Sequence, residues 1–153
     1  MSATYIPAAL RREVIERAGH CCEYCRIAET DRPINFVIDH VIAEKHGGET
    51  VSHNLCLSCY WCNSFKGSDI SSVDWLAGGE IAPLFNPRQQ RWNDHFKLDG
   101  SYIQPTTING RVTVFLLRLN SPERIEEREL LLMLGEYPCG AAYGRYESER
   151  TIR

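Results

Sequence analysis

CEYC at 22–25, FVIDHVIAEKHGG at 36–48 and HNLCLSCYWCNSFKG at 53–67 are the three pieces of sequence whose reading decides the fold. Two Cys-x-x-Cys pairs, Cys22 with Cys25 and Cys59 with Cys62, offer four thiolates to one tetrahedral ion at about 2.3 Å each, which is the geometry of structural zinc. The gap between the pairs is longer than a simple knuckle needs. An element is therefore expected to fold between them, closed at its base by the metal. Cys56 extends the second pair to C-x-x-C-x-x-C, the opening of an iron–sulfur run. Lys66 stands where such a run places its fourth cysteine and no proline follows, so zinc remains the reading.

The middle piece carries the chemistry. Phe36 to Ile42 is a β-branched and apolar run interrupted by Asp39 and His40, and Gly47-Gly48 after it can supply the positive φ of a tight turn. An acid and an imidazole side by side in an apolar strand cost free energy unless they have work to do. Asn54 falls at the edge of a turn or short helix. Asn63 directly follows the last metal cysteine, in a helix expected to stop at Gly67.

This combination resembles the HNH endonucleases, whose ββα-metal unit reads as a Cys pair, Asp-His in the first strand, an Asn before the second Cys pair, and Asn or His after it. The resemblance runs from Cys22 to Gly67 and includes the trailing Asn63-Ser64-Phe65-Lys66-Gly67. It implies that His40 is the general base that deprotonates water and that Asp39 and Asn63 hold one catalytic Mg²⁺ or Mn²⁺. It further implies that Asn54 orients the loop around the base and that Cys22, Cys25, Cys59 and Cys62 hold Zn²⁺. A neutral imidazole can take a proton from water near neutral pH. Oxygen donors suit a hard cation, sulfur donors a softer one, so two metals of different character are expected. Asn63 in the third signature position, rather than His, favours Mg²⁺ or Mn²⁺ over a later transition metal.

The chain has 153 residues, 43% of them hydrophobic, enough for one domain with a core and too few for two comfortable ones. The organisation expected is a single domain over 1–153, with the core unit at 20–68 and an extension of β-strands and a helix at 80–135. No run of about 18 apolar residues exists to span a membrane, and Met1 to Leu10 lacks the features of a secretory signal. Seven cysteines, an odd count with paired spacing, favour reduced thiols on a metal and a cytoplasmic location. The net charge of −3 argues against tight nonspecific binding to DNA. Charge is uneven, however: between Asn86 and Asn120 stand Arg88, Arg91, Lys97, Arg111 and Arg118 against Asp94 and Asp99.

Outside the central stretch, Pro7 to Ala18 reads as a helix, with Leu10, Val14, Ile15 and Ala18 on one face and Arg11, Arg12 and Arg17 on a solvated one. Cys21 reads as a packing residue and Cys139 has no partner. Ile70 to Gly79 reads as a turn or short helix and a loop. Trp92 to Leu98 and the residues from Ser101 suggest a hairpin about Asp99-Gly100. Arg111 to Leu119 reads as a further strand. Ser121-Pro122-Glu123 is a helix start, running to about Leu134, with Ile125 and Leu130 to Leu134 facing the sheet. The tail from Glu136 reads as loosely held. Lys66 on the metal-bearing helix, with Arg88 and Arg91, are the candidate contacts to substrate phosphate. Trp92 and Phe96 read as core residues, slightly ahead of a nucleic-acid grip. The second Asp-His pair, Asp94-His95, lacks cysteines and is not expected to be a site.

The expectation is thus an α+β protein: a ββα-metal core closed by a four-cysteine zinc site, with an N-terminal helix and a C-terminal extension. Its function would be hydrolysis of DNA phosphodiester bonds, with a homodimer as a natural way to cut both strands and no membrane partner. The alternative is a non-catalytic, zinc-stabilised nucleic-acid-binding or adapter module. Asp39-His40 separates the two, because a scaffold needs only the cysteines.

Overall fold

The centre of the molecule is a ribbon of two short antiparallel strands, β1 (Val37–His40) and β2 (Leu55–Ser58), paired so that Asp39 lies opposite Cys56 and His40 opposite Leu55. The computed structural model describes residues 4–30 and 36–140. Because successive side chains leave a strand on opposite faces, the ribbon serves two layers. Leu55, Leu57 and Ile38 meet α1 (Ala8–Arg17), which contributes Val14, Leu10, Ile15 and Ala18 to one apolar cluster. Cys56, on the other face, belongs to a larger cluster built on Cys22, Tyr24, Cys25, Cys59 and Cys62. The expected helix face of α1 is the buried one. Arg17 is not solvated: its Nη1 donates to Ser52 Oγ at 2.8 Å and its Nη2 to Leu55 O at 2.7 Å.

After β2 the chain turns at Cys59 into α2 (Tyr60–Lys66), whose first turn is capped by the Cys59 sulfur accepting from Cys62 N. Gly67, at φ 52 and ψ −131, ends it as expected. The loop that joins β1 to β2 needs two glycines for different reasons. Gly47 adopts φ 85, whereas Gly48 makes a close approach: a Cβ there would sit 1.7 Å from Ile42 O.

The extension differs from its sequence reading at three points. Ile70 to Gly79 is not a helix and loop. It opens a hairpin of β3 (Ser71–Asp74) and β4 (Glu80–Pro83), with Gly78 and Gly79 at positive φ in the connection. The hairpin of β5 (Phe96–Asp99) and β6 (Tyr102–Pro105) turns about Gly100 as expected, but the strand does not begin at Trp92, because Trp92–Asp94 form a short 3-10 turn. The run Arg111 to Leu119 is not a strand but the body of a helix, α3 (Ile108–Leu116), because Thr107 caps it by accepting from Gly110 N and helical spacing buries Val112, Thr113 and Leu117 together.

The last helix, α4 (Pro122–Met133), begins where expected, although the Ser121 hydroxyl makes no capping bond. Its inward face is the surprise. Arg124 and Arg128 are buried beside Leu131, and of the leucines expected to cover the sheet Leu131 does so while Leu130, Leu132 and Leu134 are exposed. The segment after it is anchored, not loose. Tyr137 and Cys139 are buried, Tyr137 Oη donates to Cys25 O at 2.8 Å, and Cys139 is joined to Cys21 by a disulfide. That bond corrects the reading of all seven cysteines as reduced, of Cys21 as packing and of Cys139 as unpartnered. The rest of the tail, 141–153, lies outside the described residues. No helix of the described chain is long and apolar enough to cross a membrane.

Candidate metal centre and the Asp39–His40 site

The four sulfurs of Cys22, Cys25, Cys59 and Cys62 converge in the interior, all within 4.8 Å of one another, and could hold a zinc ion. Tetrahedral ligands at about 2.3 Å from an ion stand roughly 3.75 Å apart, and Cys25 Sγ and Cys59 Sγ are 3.7 Å apart. The donor set and spacing therefore fit. Each pair forms a small turn in which the second cysteine's N–H points at the first sulfur, Cys25 N to Cys22 Sγ at 3.5 Å and Cys62 N to Cys59 Sγ at 3.4 Å. Glu23 pins the first turn to the ribbon: its N–H donates to Leu57 O and its carboxylate accepts from Leu57 N, at 2.9 and 2.8 Å. Cys56 is outside the cluster. Its thiol reaches Tyr24 Oη at 3.7 Å, and burial pushes it well above the ordinary thiol range. Arg124 of α4 does touch the cluster, donating from Nη2 to Cys62 Sγ at 3.0 Å. Burial alone would lower its pKa, but the surrounding Cys62, Cys25 and Cys59 thiolates outweigh burial and raise it.

At the end of β1, Asp39 and His40 leave the strand on opposite faces. The Asp39 carboxylate, 11% exposed, turns toward α2, where Lys66 Nζ lies 3.0 Å from its Oδ2 and donates to His40 O at 3.1 Å. Oδ2 is nevertheless buried without an aligned hydrogen-bond donor. Burial raises the Asp39 pKa above the ordinary carboxylate value, and the Lys66 ammonium recovers only part of the shift. The His40 ring is held from the loop: Nε2 is 2.9 Å from Thr50 Oγ1 and 3.9 Å from Glu44 Oε1. Asn54, buried beneath the loop, closes it at both ends, accepting from Ile42 N and donating to Ile42 O and Glu49 O, each at 2.9 Å. Asn63 is half-buried on α2, one turn before Lys66, so the two share a helix face.

Two expected phosphate contacts are turned inward. Lys66, 2% exposed, is engaged with Asp39 and His40, and Arg88 pairs with the Glu23 carboxylate, so each braces the unit built on the cysteine cluster. Arg91 stays exposed. Trp92 and Phe96 pack together at 5.0 Å, with Trp92 Nε1 donating to Tyr24 O at 2.8 Å, and both belong to the core. His95 is occupied by Thr107 Oγ1 at 2.6 Å. Sequence reasoning missed Arg124 and Thr50. The charged positions of α4 at helical spacing could have flagged the first, and nothing in the sequence distinguishes the second.

A strand pair carrying Asp-His, a connecting loop clamped by Asn and a helix opening on the metal cysteines are the parts of a ββα-metal unit. The family model of the HNH endonuclease matches residues 22–69, so this segment is an HNH domain. Among known proteins, the chain is 25% identical over 130 residues to the Septu protein PtuB of Bacillus thuringiensis. The similarity covers 84% of this chain and 46% of that protein, so the chain spans about half of its relative's length. No solved structure matches the chain.

Proposed function

We propose that this protein is a metal-dependent endonuclease that hydrolyses DNA phosphodiester bonds. The observation that carries the reading is the adjacency in sequence, at one strand end inside the HNH segment, of an imidazole with one ring nitrogen engaged by Thr50 and a buried carboxylate braced by Lys66. When His40 Nε2–H donates to Thr50, the lone pair sits on Nδ1, and that nitrogen takes the proton from the attacking water. The Asp39 carboxylate and the Asn63 amide oxygen would hold Mg²⁺ or Mn²⁺, which would supply charge neutralisation at the phosphate and the departing 3′ oxygen. Lys66 positions Asp39, and Asn54 fixes the loop that carries Thr50. Arg91 is the remaining exposed candidate for a phosphate contact.

Zn²⁺ on the four cysteines is structural in this reading. The chain acts as one domain, with the HNH core at 20–68 and the extension at 80–135, as a homodimer where both strands are cut. A cytoplasmic setting belongs to the proposal because metal-bound thiolates persist in reducing surroundings. The Cys21–Cys139 disulfide runs against that setting, and the thiol count of protein alkylated inside cells decides it. The likeness to PtuB suggests service in a Septu system.

One observation favours a second reading, a zinc-stabilised nucleic-acid-binding or adapter module without catalysis: the Lys66 ammonium already sits on the Asp39 carboxylate, where it competes with a cation. Supercoiled-plasmid nicking with a panel of divalent metals separates the two. The wild type is expected to nick in Mg²⁺ or Mn²⁺, and His40→Ala to abolish nicking with zinc content and melting temperature nearly unchanged. An equally active His40→Ala protein would remove His40 from the mechanism, and an inactive wild type that still binds DNA would favour the adapter.

A further inference from the structure

Helix α4 buries Arg124 and Arg128 beside Leu131 and leaves Leu130, Leu132 and Met133 exposed, against ordinary sorting by polarity. Something in the interior must therefore favour the cations. Arg124, 4% exposed, spans from Leu117 O, which accepts from Nη1 at 2.9 Å, to the sulfur cluster, where Nη2 is 3.0 Å from Cys62 Sγ and 3.7 Å from Cys59 Sγ. Its Nε is buried with no partner. Four thiolates around one divalent ion carry a net charge of about −2, and a buried charge without a counter-charge is costly for either sign. The cluster and the guanidinium each supply what the other lacks. The N–H groups inside the two Cys-x-x-Cys turns reach Cys22 and Cys59, and Arg124 is the cation that donates directly to Cys62 Sγ, whereas Arg128 acts on Cys62 through space alone.

We propose that Arg124 is a positioning residue of the metal centre: its guanidinium offsets the tetrathiolate charge and holds down sulfur reactivity, so that the extension completes a site whose ligands all lie in the HNH segment. The proposal rests on the zinc reading above. Hydrogen bonds to ligating sulfur lower its electron density, and outer partners of this kind are typically worth about 10- to 100-fold in metal affinity. Arg128, one turn further along the same buried face, is the internal control, because its Nε donates to Ser101 O and its Nη2 to Asn120 Oδ1 and neither touches sulfur.

The experiment compares the full-length wild type with Arg124→Met, Arg124→Lys and Arg128→Met. Zinc retention is titrated against a chelator, the sulfur-to-cobalt charge-transfer band is recorded after cobalt substitution, and circular dichroism monitors the fold. Arg124→Met is expected to release zinc at chelator concentrations about 10- to 100-fold lower and to move the band to lower energy. Arg124→Lys should recover most of the retention while still shifting the band, and Arg128→Met should leave both at wild-type values. A wild-type chelator midpoint in Arg124→Met, an equal loss in Arg128→Met, or an unmoved band in Arg124→Lys would overturn the proposal. The lysine variant decides the matter if Arg124→Met does not fold. A wild type that carries neither zinc nor cobalt sinks the zinc reading itself, which is a separate outcome.

Discussion

Asp39 and His40 are neighbours in the chain, yet the pleat gives them different environments: one carboxylate against a buried lysine, one ring against a loop hydroxyl. This difference has a pH consequence. Because burial holds the folded Asp39 pKa above its unfolded value, its contribution to stability is complete below the ordinary carboxylate range and is lost as pH rises through the folded pKa. Comparing wild type with Asp39→Asn by urea unfolding from about pH 4 to 7, the stability difference should move against the wild type as pH rises. A difference moving the other way would mean that the Lys66 pair outweighs burial. Protons should also compete with a cation at Asp39 at higher pH than at an exposed aspartate. The Asp39-His40 pair was legible in sequence because an acid and an imidazole are out of place in an apolar strand, and the Asn54 clamp because of the resemblance to the HNH pattern. The inward turn of Lys66 was not, since a lysine on a short helix ordinarily points to water.

At the scale of elements, the hydrophobic period decided what could be read. α1 and the β5–β6 hairpin carry one clear signal each, a helical apolar stripe and an Asp-Gly turn. In α3 the β-branched and apolar run fits both periods, and the cap settles it: Thr107 Oγ1 on Gly110 N, reinforced by Thr113 Oγ1 donating to Asn109 O at 2.7 Å. The β3–β4 hairpin escaped notice because its strands are short and largely exposed and carry no regular apolar–polar alternation. In α4 the leucines only partly marked the buried face because nothing local reveals that Arg124 meets a cluster of cysteine sulfurs. Gly110 tests the packing of α3. Alanine at an interior helix glycine ordinarily gains about 1 kcal/mol, but here a Cβ would fall 2.3 Å from His95 O. Gly110→Ala is therefore expected to cost about 1–3 kcal/mol, as overpacking does, measured by chemical denaturation. A stabilised variant would show that α3 can move away from the β5 strand.

At the scale of the molecule, the sulfur cluster is the joint where separate parts meet: the first knuckle, β2, α2, Arg124 of α4 and, through Tyr137, the segment after it. A small structural zinc site holds much of its domain's folding free energy in the metal bonds. Cys59→Ser is expected to lose zinc and the cooperative unfolding transition together, by elemental analysis and thermal melting. A folded variant with full zinc content would show that the ligand set is different. The paired x-x spacing announced these cysteines, whereas the joining of Cys21 to Cys139 spans 118 positions and leaves no local trace.

That long-range bond makes a covalent ring of nearly all the described chain, with the tip of the β3–β4 hairpin, Trp75 and Leu76, standing out from it at 68% and 84% exposure. A single chymotryptic cut at this tip should therefore release no fragment: the nicked chain keeps its mass plus one water on a non-reducing gel and falls into two pieces only when a reductant is added. Two pieces without reductant would mean the ring is open.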